Sequence, residues 1–279
     1  MRVFVSGASG FLASNLIRFL SSMEIAVWGS TSRPANEGLG CQKLFSYKLG
    51  ESADQIDFTG IDVVIHCAHD FSPGHIDQNI EGTKNLFFKA QNQGVRRQIF
   101  ISSYSAQPDA TSEYGIIKFK LENFFLQQDQ TVVKPGLIVG NGGLFSRIKK
   151  NVIRFPLLPL VDGGNGVVPL VGIQDLCRSV FKLIELDTSG QFYLFLQPLT
   201  RQCDMVRTIA KTEGKVVSVV NIPYKIAYGL LKLISFLPLG ISLESLKSYH
   251  LTQNVTAHSS LGELLGHCMS LEEIIHAAR

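Results

Sequence analysis

The stretch RVFVSGASGFLASNLIRFL, residues 2–20, decides the fold. Its first six residues are a short apolar run ending in glycine, which reads as a buried strand. From Phe11 onward the spacing changes, and Leu12, Leu16, Ile17 and Leu20 share one helical face. Between strand and helix lies GASGFLA, residues 7–13, with Gly7, Gly10 and a small Ala13 at the positions of a phosphate-binding fingerprint. Gly7 permits a tight turn. Gly10 lets the backbone approach a pyrophosphate, and Ala13 allows close helix–strand contact. The free N–H groups of the helix N-terminus then face the phosphates. The alternative is an ordinary glycine-rich turn, but its place at the head of an alternating chain favours cofactor binding.

That alternation continues. IAVWG and KLFSY read as strands, IDVVIHCA as a central strand apolar on both faces, and residues 76–94 as a helix stopped by Gly94. RQIFISS is a strand, residues 112–128 a helix, and TVVKPGLIVG one further strand. Repeated β-α-β units imply an α/β fold: a Rossmann-type, doubly wound parallel sheet with helices on both faces. Beyond residue 135 the order loosens. VVPLVGI and GQFYLFL read as strands, DLCRSVFKLIEL and CDMVRTIAKTE as helices, and Ser270-Leu-Glu-Glu273 as a capping box.

Composition narrows the function classes. A chain of 279 residues with 45% hydrophobic and 18% charged residues is globular, and a net charge of +3 without a basic run gives no reason to expect nucleic acid. Five scattered cysteines without a CxxC pair read as reduced thiols of a cytoplasmic protein. His66, Cys67 and His69 cluster at a strand end with no second ligand group nearby, so no metal site is expected. The apolar run before Ser6 is too short for a signal peptide. Residues 226–243 are the most membrane-like, but Lys232 and Pro238 interrupt them and no transmembrane span is expected.

Two near-copies of one pentapeptide carry the chemical question: YGIIK, residues 114–118, and YGLLK, residues 228–232. On a helix, residues four apart share a face, so a lysine can favour the phenolate of its tyrosine. Such a tyrosine can exchange a proton with a substrate oxygen. Spacing alone is weak evidence, as the second copy shows. The first follows FISSYSA, residues 100–106, which places Ser102 and Ser103 at the carboxyl end of a strand, where ligands bind in such sheets. The second, in an apolar segment with no such strand before it, reads as chance spacing on a packing helix. At the end of the second strand, WGSTSRP, residues 28–34, has no carboxylate for a ribose 2′-hydroxyl. Ser30, Thr31, Ser32 and Arg33 suit a 2′-phosphate, favouring NADP over NAD, unless Arg33 stacks on adenine or faces solvent.

Taken in order, these segments resemble the extended short-chain dehydrogenases/reductases of the NAD-dependent epimerase/dehydratase family. GASGFLA, DVVIHCAH (62–69), NIEGTKNLF (79–87), IFISS (99–103), YGIIKFKLE (114–122), KPGLIVGNGG (134–143) and GIQDLCRSV (172–180) follow the family's series. The resemblance implies residue roles. Tyr114 would be the acid–base residue, Lys118 would tune it and bond the nicotinamide ribose, and Ser103 would hold the reacting oxygen, with Ser102 as its substitute. Asn79 would order the catalytic helix or its water. Gly7, Ser9, Gly10, Phe11 and Leu12 would line the pyrophosphate, Ala68 and His69 the ribose, and Pro135 and Gly136 the nicotinamide. Residues 1–165 would form the NAD(P)-binding domain, with segments of about 166–200 returning to it, and 201–279 mainly a mixed, smaller substrate-binding region.

The departures shape the expected activity. Tyr104 and Ser105 stand where family dehydratases carry an Asp-Glu pair, and Ser105 where some epimerases place a cysteine. Lys134 replaces the usual arginine before Pro135. Val167 or Val168 stands where many members read a nucleotide diphosphate with arginine; Arg147, Lys149 or Arg154 are the alternatives. Keto reduction or 4-epimerisation remains, with a nucleotide-sugar as the expected substrate. The alternatives are NADPH-dependent reduction of an apolar, non-sugar carbonyl, and a non-catalytic cofactor-binding protein. A homodimer is common in the family.

Overall fold

The computed structural model describes residues 1–33, 39–233 and 257–278. They form two compact units. The first comprises Met1–Ala106, Glu113–Lys134 and Cys177–Phe192, and the second Gln107–Ser112, Pro135–Leu176 and Tyr193–Arg279.

In the first unit, β1 (Arg2–Ser6) is followed by α1 (Phe11–Ser22), β2 (Ala26–Thr31), β3 (Lys43–Ser46), β4 (Val63–His66), α2 (Ile76–Asn92), β5 (Arg97–Ile101), α3 (Glu113–Gln127) and β6 (Thr131–Pro135). Strands β3-β2-β1-β4-β5-β6 pair in parallel. A later strand, β11 (Gly190–Leu194), adjoins β6 and completes a seven-stranded sheet of order β11-β6-β5-β4-β1-β2-β3. This is the expected helix-flanked α/β architecture. Val3, Phe4 and Val5 of β1, like all four residues of β4, are buried, as central parallel strands require. The helices follow the apolar spacing. On α1, Ala13, Leu16, Ile17 and Leu20 are buried. Phe87 of α2, Ile117, Leu121 and Phe125 of α3, and Phe100 and Val132 of the sheet form one cluster. Strand order reverses at β1 and β4, whose carboxyl ends are aligned by the Ser6–His66 register. A crevice there is where such sheets bind ligands.

The second unit contains β7 (Leu137–Val139), α4 (Gly143–Arg154), β8 (Leu157–Val161), β9 (Val167–Val168), β10 (Leu170–Gly172), β12 (Thr200–Arg201), α6 (Gln202–Thr212), β13 (Ser218–Ile222), α7 (Tyr224–Leu233), α8 (Leu261–Leu265) and α9 (Leu271–His276). Helix α5 (Ile173–Leu186) runs from this unit into the first. Three two-stranded sheets, β7/β10, β8/β13 and β9/β12, surround a core of Phe145, Val152, Leu170, Met205, Val206, Ile209, Ile274 and Ile275. Ser270 opens α9 through the expected capping box.

The single strand expected over TVVKPGLIVG is in fact two, β6 and β7, in different sheets. The break falls at Gly136. A Cβ there would lie 2.4 Å from the Pro169 carbonyl oxygen, so only glycine fits. Gly136 N–H donates to Leu194 and Leu137 N–H to Pro169, which carries the chain onto a new partner. Helix α4, hidden in a Gly- and Pro-rich segment, is amphipathic and buries Phe145 and Val152. Among the described residues, no helix is long and apolar enough to cross a membrane. Helix α7 covers the start of the apolar 226–243 segment; positions 234–243 and the side chain of Lys232 lie outside the described residues.

Candidate active site

The glycine turn is built by hydrogen bonds that the motif alone does not reveal. Gly7 has φ +72°, and a Cβ there would meet Ala68 Cα at 2.7 Å. Glycine is therefore required twice over, by backbone conformation and by the close approach of the chain after β4. Gly10 N–H donates to Gly7 C=O at 2.8 Å and Ala8 N–H to Ser30 C=O at 2.8 Å. The Ser6 hydroxyl accepts from the N–H groups of Cys67 and Ala68 at 3.1 and 3.2 Å, so β1 and β4 end side by side. Gly10 caps α1 with no side-chain hydrogen bond, and no acidic residue occupies the first turn. A glycine cradle against an open, 12-residue helix N-terminus fits a dinucleotide pyrophosphate. Phe11 and Leu12 are half-buried in that first turn.

At the end of β2, Thr31 Oγ1 donates to Ser9 Oγ at 2.9 Å and accepts from Arg33 N–H at 3.1 Å. Buried Thr31 thus ties the β2 end to the glycine turn, a link the sequence reading missed. Ser32 and Arg33 are exposed beside it.

The second constellation grows from β5 and α3. After β5, Ser102 N–H donates to Val133 C=O at 2.8 Å, and Ser103 follows as the chain leaves the sheet. Lys118, buried on α3, donates from Nζ to Ile101 C=O at 2.7 Å and pins the helix to the strand end. One turn earlier, Tyr114 comes within hydrogen-bonding reach of the Ser103 hydroxyl. Lys118 Nζ lies 5.8 Å from the Tyr114 ring centre. Ser103 Oγ is also 2.9 Å from Ser105 Oγ. The neighbouring Ser102 is turned away: it is buried and donates to Glu122 at 2.9 Å. Ser103, Tyr114 and Lys118 therefore converge, whereas Ser102 belongs to the core behind them. On α7, Tyr228 instead stacks on Tyr224, with ring centres 6.2 Å apart.

Lys118 is buried, and Ser103, Tyr114 and His69 are half-buried. Burial pushes the Tyr114 phenol above its ordinary value, only partly offset by the Ser103 hydrogen bond. Burial lowers the Lys118 ammonium to about 8. It also lowers His69 to about 3 and His66 to about 4, so both imidazoles are neutral at pH 7. The His69 ring stands edge-on to Tyr114 at 4.9 Å, and Phe71 stacks on Tyr114 at 5.6 Å. Asn79, fully buried on α2, accepts from Asp70 N–H and donates to the carbonyls of Asp70 and His75. It orders the loop between β4 and α2.

Behind the site, Glu122 continues the Tyr114–Lys118 face of α3 by four more residues. Its carboxylate meets Lys134 Nζ at 3.0 Å, and Lys134 also donates to Ala106 C=O at 2.6 Å. The i, i+4 spacing from Lys118 to Glu122 was readable in the sequence. The partner on β6 was not. Pro135 closes β6, and Gly136 begins the second unit's sheet contacts. Among the described residues, no group of three or more His, Cys, Asp or Glu side chains is placed to hold a metal ion.

Residues 3–123 match the NAD dependent epimerase/dehydratase family. The chain is 23% identical over 259 residues to a 4-hydroxy-2-methyl-3-oxo-4-farnesyl-3,4-dihydroquinoline-1-oxide ketoreductase of Stigmatella aurantiaca, covering 81% of this chain and 78% of that protein. It is 24% identical over 252 residues to cinnamoyl-CoA reductase 1 of Oryza sativa subsp. japonica, covering 74% of each. Its fold is similar to that of UDP-glucose 4-epimerase from Thermotoga maritima, solved with UDP-glucose, at a TM-score of 0.74 and 17% identity, over 100% of this chain and 97% of that one.

Proposed function

Taking residues 3–123 as a member of the NAD dependent epimerase/dehydratase family, we propose that this protein is a nicotinamide-dependent reductase of a carbonyl substrate. Ser103, Tyr114 and Lys118 form its catalytic site. The observation that carries the reading is the Tyr114 hydroxyl within hydrogen-bonding reach of Ser103, with Lys118 Nζ 5.8 Å from its ring centre. A phenol is protonated at neutral pH, and the nearby Lys118 ammonium favours the phenolate left when it gives up that proton.

The reduced nicotinamide, when bound, supplies hydride to the carbonyl carbon. Tyr114 gives its proton to the carbonyl oxygen as negative charge develops there, and the product is the alcohol. The Ser103 hydroxyl donates a hydrogen bond to the same oxygen and fixes its approach. Lys118, anchored on Ile101, places positive charge near the phenolate that Tyr114 becomes. Gly7, Ser9, Gly10, Phe11 and Leu12 would hold the pyrophosphate, Ala68 and His69 would border the ribose, and Pro135 and Gly136 would flank the nicotinamide. Ser32 and Arg33, in a strand end (residues 28–34) whose sequence carries no carboxylate, support NADP as the preferred cofactor.

A non-sugar carbonyl is the first reading, because both curated relatives are named as reductases of such compounds. The paired valines of β9, standing where an arginine would read a nucleotide diphosphate, support it too. The second reading is 4-epimerisation of a nucleotide-sugar, supported by the fold shared with UDP-glucose 4-epimerase. The cofactor that copurifies separates them. Loosely held NADPH favours the reductase, and tightly held NAD the epimerase, which regenerates its own cofactor.

Replacing the proton donor tests the site. Tyr114→Phe should lower kcat on any accepted carbonyl by about 100-fold or more, with NADPH affinity nearly unchanged. Unchanged turnover in Tyr114→Phe would remove Tyr114 from the mechanism.

A further inference from the structure

Phe71 is the aromatic side chain that the site does not explain. It is 78% exposed. It sits two residues past His69, with its ring stacked on Tyr114 at 5.6 Å and 18° between planes, and its other neighbour is the His69 ring at 4.6 Å. A phenylalanine left this open gains little from burial.

The backbone on either side of it is nevertheless tied down. Asp70 N–H donates to Asn79 Oδ1 at 2.9 Å, and Asn79 Nδ2 returns a bond to Asp70 C=O at 2.9 Å. The Asp70 carboxylate accepts from Ser72 N–H at 2.9 Å and lies 2.7 Å from His75 Nδ1. Gly74 N–H donates to Glu113 Oε2 at 3.2 Å, on the turn of α3 that carries Tyr114. The ring is thus presented from a braced loop and placed flat against the proposed proton donor.

We infer that Phe71 is a specificity-determining residue that stacks on a flat aromatic or conjugated group attached to the substrate carbonyl. The inference rests on the carbonyl-reduction reading. A carbonyl oxygen that reaches Tyr114 and Ser103 brings its substituent past the open face of Phe71. An aryl group there covers apolar surface and gains offset stacking, whereas a short alkyl group offers neither plane nor area. The aromatic wall continues into the His69 ring, edge-on to both Phe71 and Tyr114.

The test compares 2-naphthaldehyde with butanal, using NADPH and the full chain. In Phe71→Ala, kcat/KM for 2-naphthaldehyde should fall about 10-fold, mainly through KM, with a clearly smaller loss on butanal. Phe71→Tyr should restore the aryl preference. Equal losses on both aldehydes, or none, overturn the inference. Because the ring is exposed, its removal does not threaten folding. A binding measurement makes the test independent of turnover. Calorimetric titration of methyl 2-naphthyl ketone into protein saturated with NADP⁺ should give a Kd about 10-fold weaker in Phe71→Ala; an unchanged Kd overturns the inference. The Tyr114→Phe variant separates the two claims. If it loses turnover of both aldehydes while Phe71→Ala keeps full aryl activity, only the Phe71 role fails. If it keeps turnover, the catalytic reading itself fails.

Discussion

The Lys134 ammonium lies 3.0 Å from the Glu122 carboxylate, and both side chains are buried, 2% and 3% exposed. The pair is satisfied on every side. Ser102 and Gln191 also donate to Glu122, and Lys134 reaches Ala106 C=O. It therefore joins α3, which carries Tyr114, to β6, and through Ser102 and Ala106 to the segment after β5 that carries Ser103. A buried pair is weak evidence for net stability, but breaking it strands a charge in a dry interior. Lys134→Met alone should cost about 3–5 kcal/mol in urea unfolding. Adding Glu122→Gln should return a large part of that loss. A single variant as stable as the parent would show that the pair is not buried as described.

His66 gives a pH signature. Its Nε2 faces Gln98 Oε1 at 2.7 Å, while Gln98 Nε2 is committed to Phe87 C=O, so His66 donates from Nε2 as a neutral ring. Burial lowers its pKa from the ordinary 6.5 to about 4. Between those values the unfolded chain binds a proton that the folded chain does not. Stability is therefore full above about pH 6.5 and is lost as pH falls toward 4, by about 3 kcal/mol in total. His69 shifts in the same direction, but is partly open, so its share is smaller. In His66→Phe, urea midpoints measured from pH 7 to pH 4 should decline less steeply than in the parent. An identical decline would place the titration elsewhere.

Arg33 is the test of the proposed NADP preference. It is exposed at the end of β2, and its N–H is held by Thr31, which in turn bonds Ser9 of the glycine turn. A guanidinium there is worth most to a 2′-phosphate. Arg33→Ala should raise the Kd for NADPH about 10-fold and that for NADH by less than about 3-fold, as a charge-assisted hydrogen bond predicts. Equal weakening would assign Arg33 to adenine stacking and overturn the NADP preference.

Sequence by itself determined the sheet and pointed to the two segments of the proposed site. Local periodicity reports which faces are buried, so the strands and helices through residue 134 were legible, with boundaries a residue or two off. The glycine turn was legible because Gly7 is required by local conformation. The YGIIK copy stood out through its place after a serine-bearing strand. Tertiary structure decided what depends on contacts distant along the chain. The strand expected over TVVKPGLIVG breaks at Gly136 because the Pro169 carbonyl lies against it, and no periodicity encodes a neighbour 33 residues away. Ser103 rather than Ser102 faces Tyr114, and Ser102 is claimed for the core by Glu122 on α3, itself paired with Lys134 on β6. No motif or periodicity in the sequence singles out Phe71. Only the bracing of its loop by Asn79 and Glu113 sets its ring against Tyr114. Local pattern fixes which way a side chain faces along its own element, whereas the groups it meets there are fixed by how the elements pack.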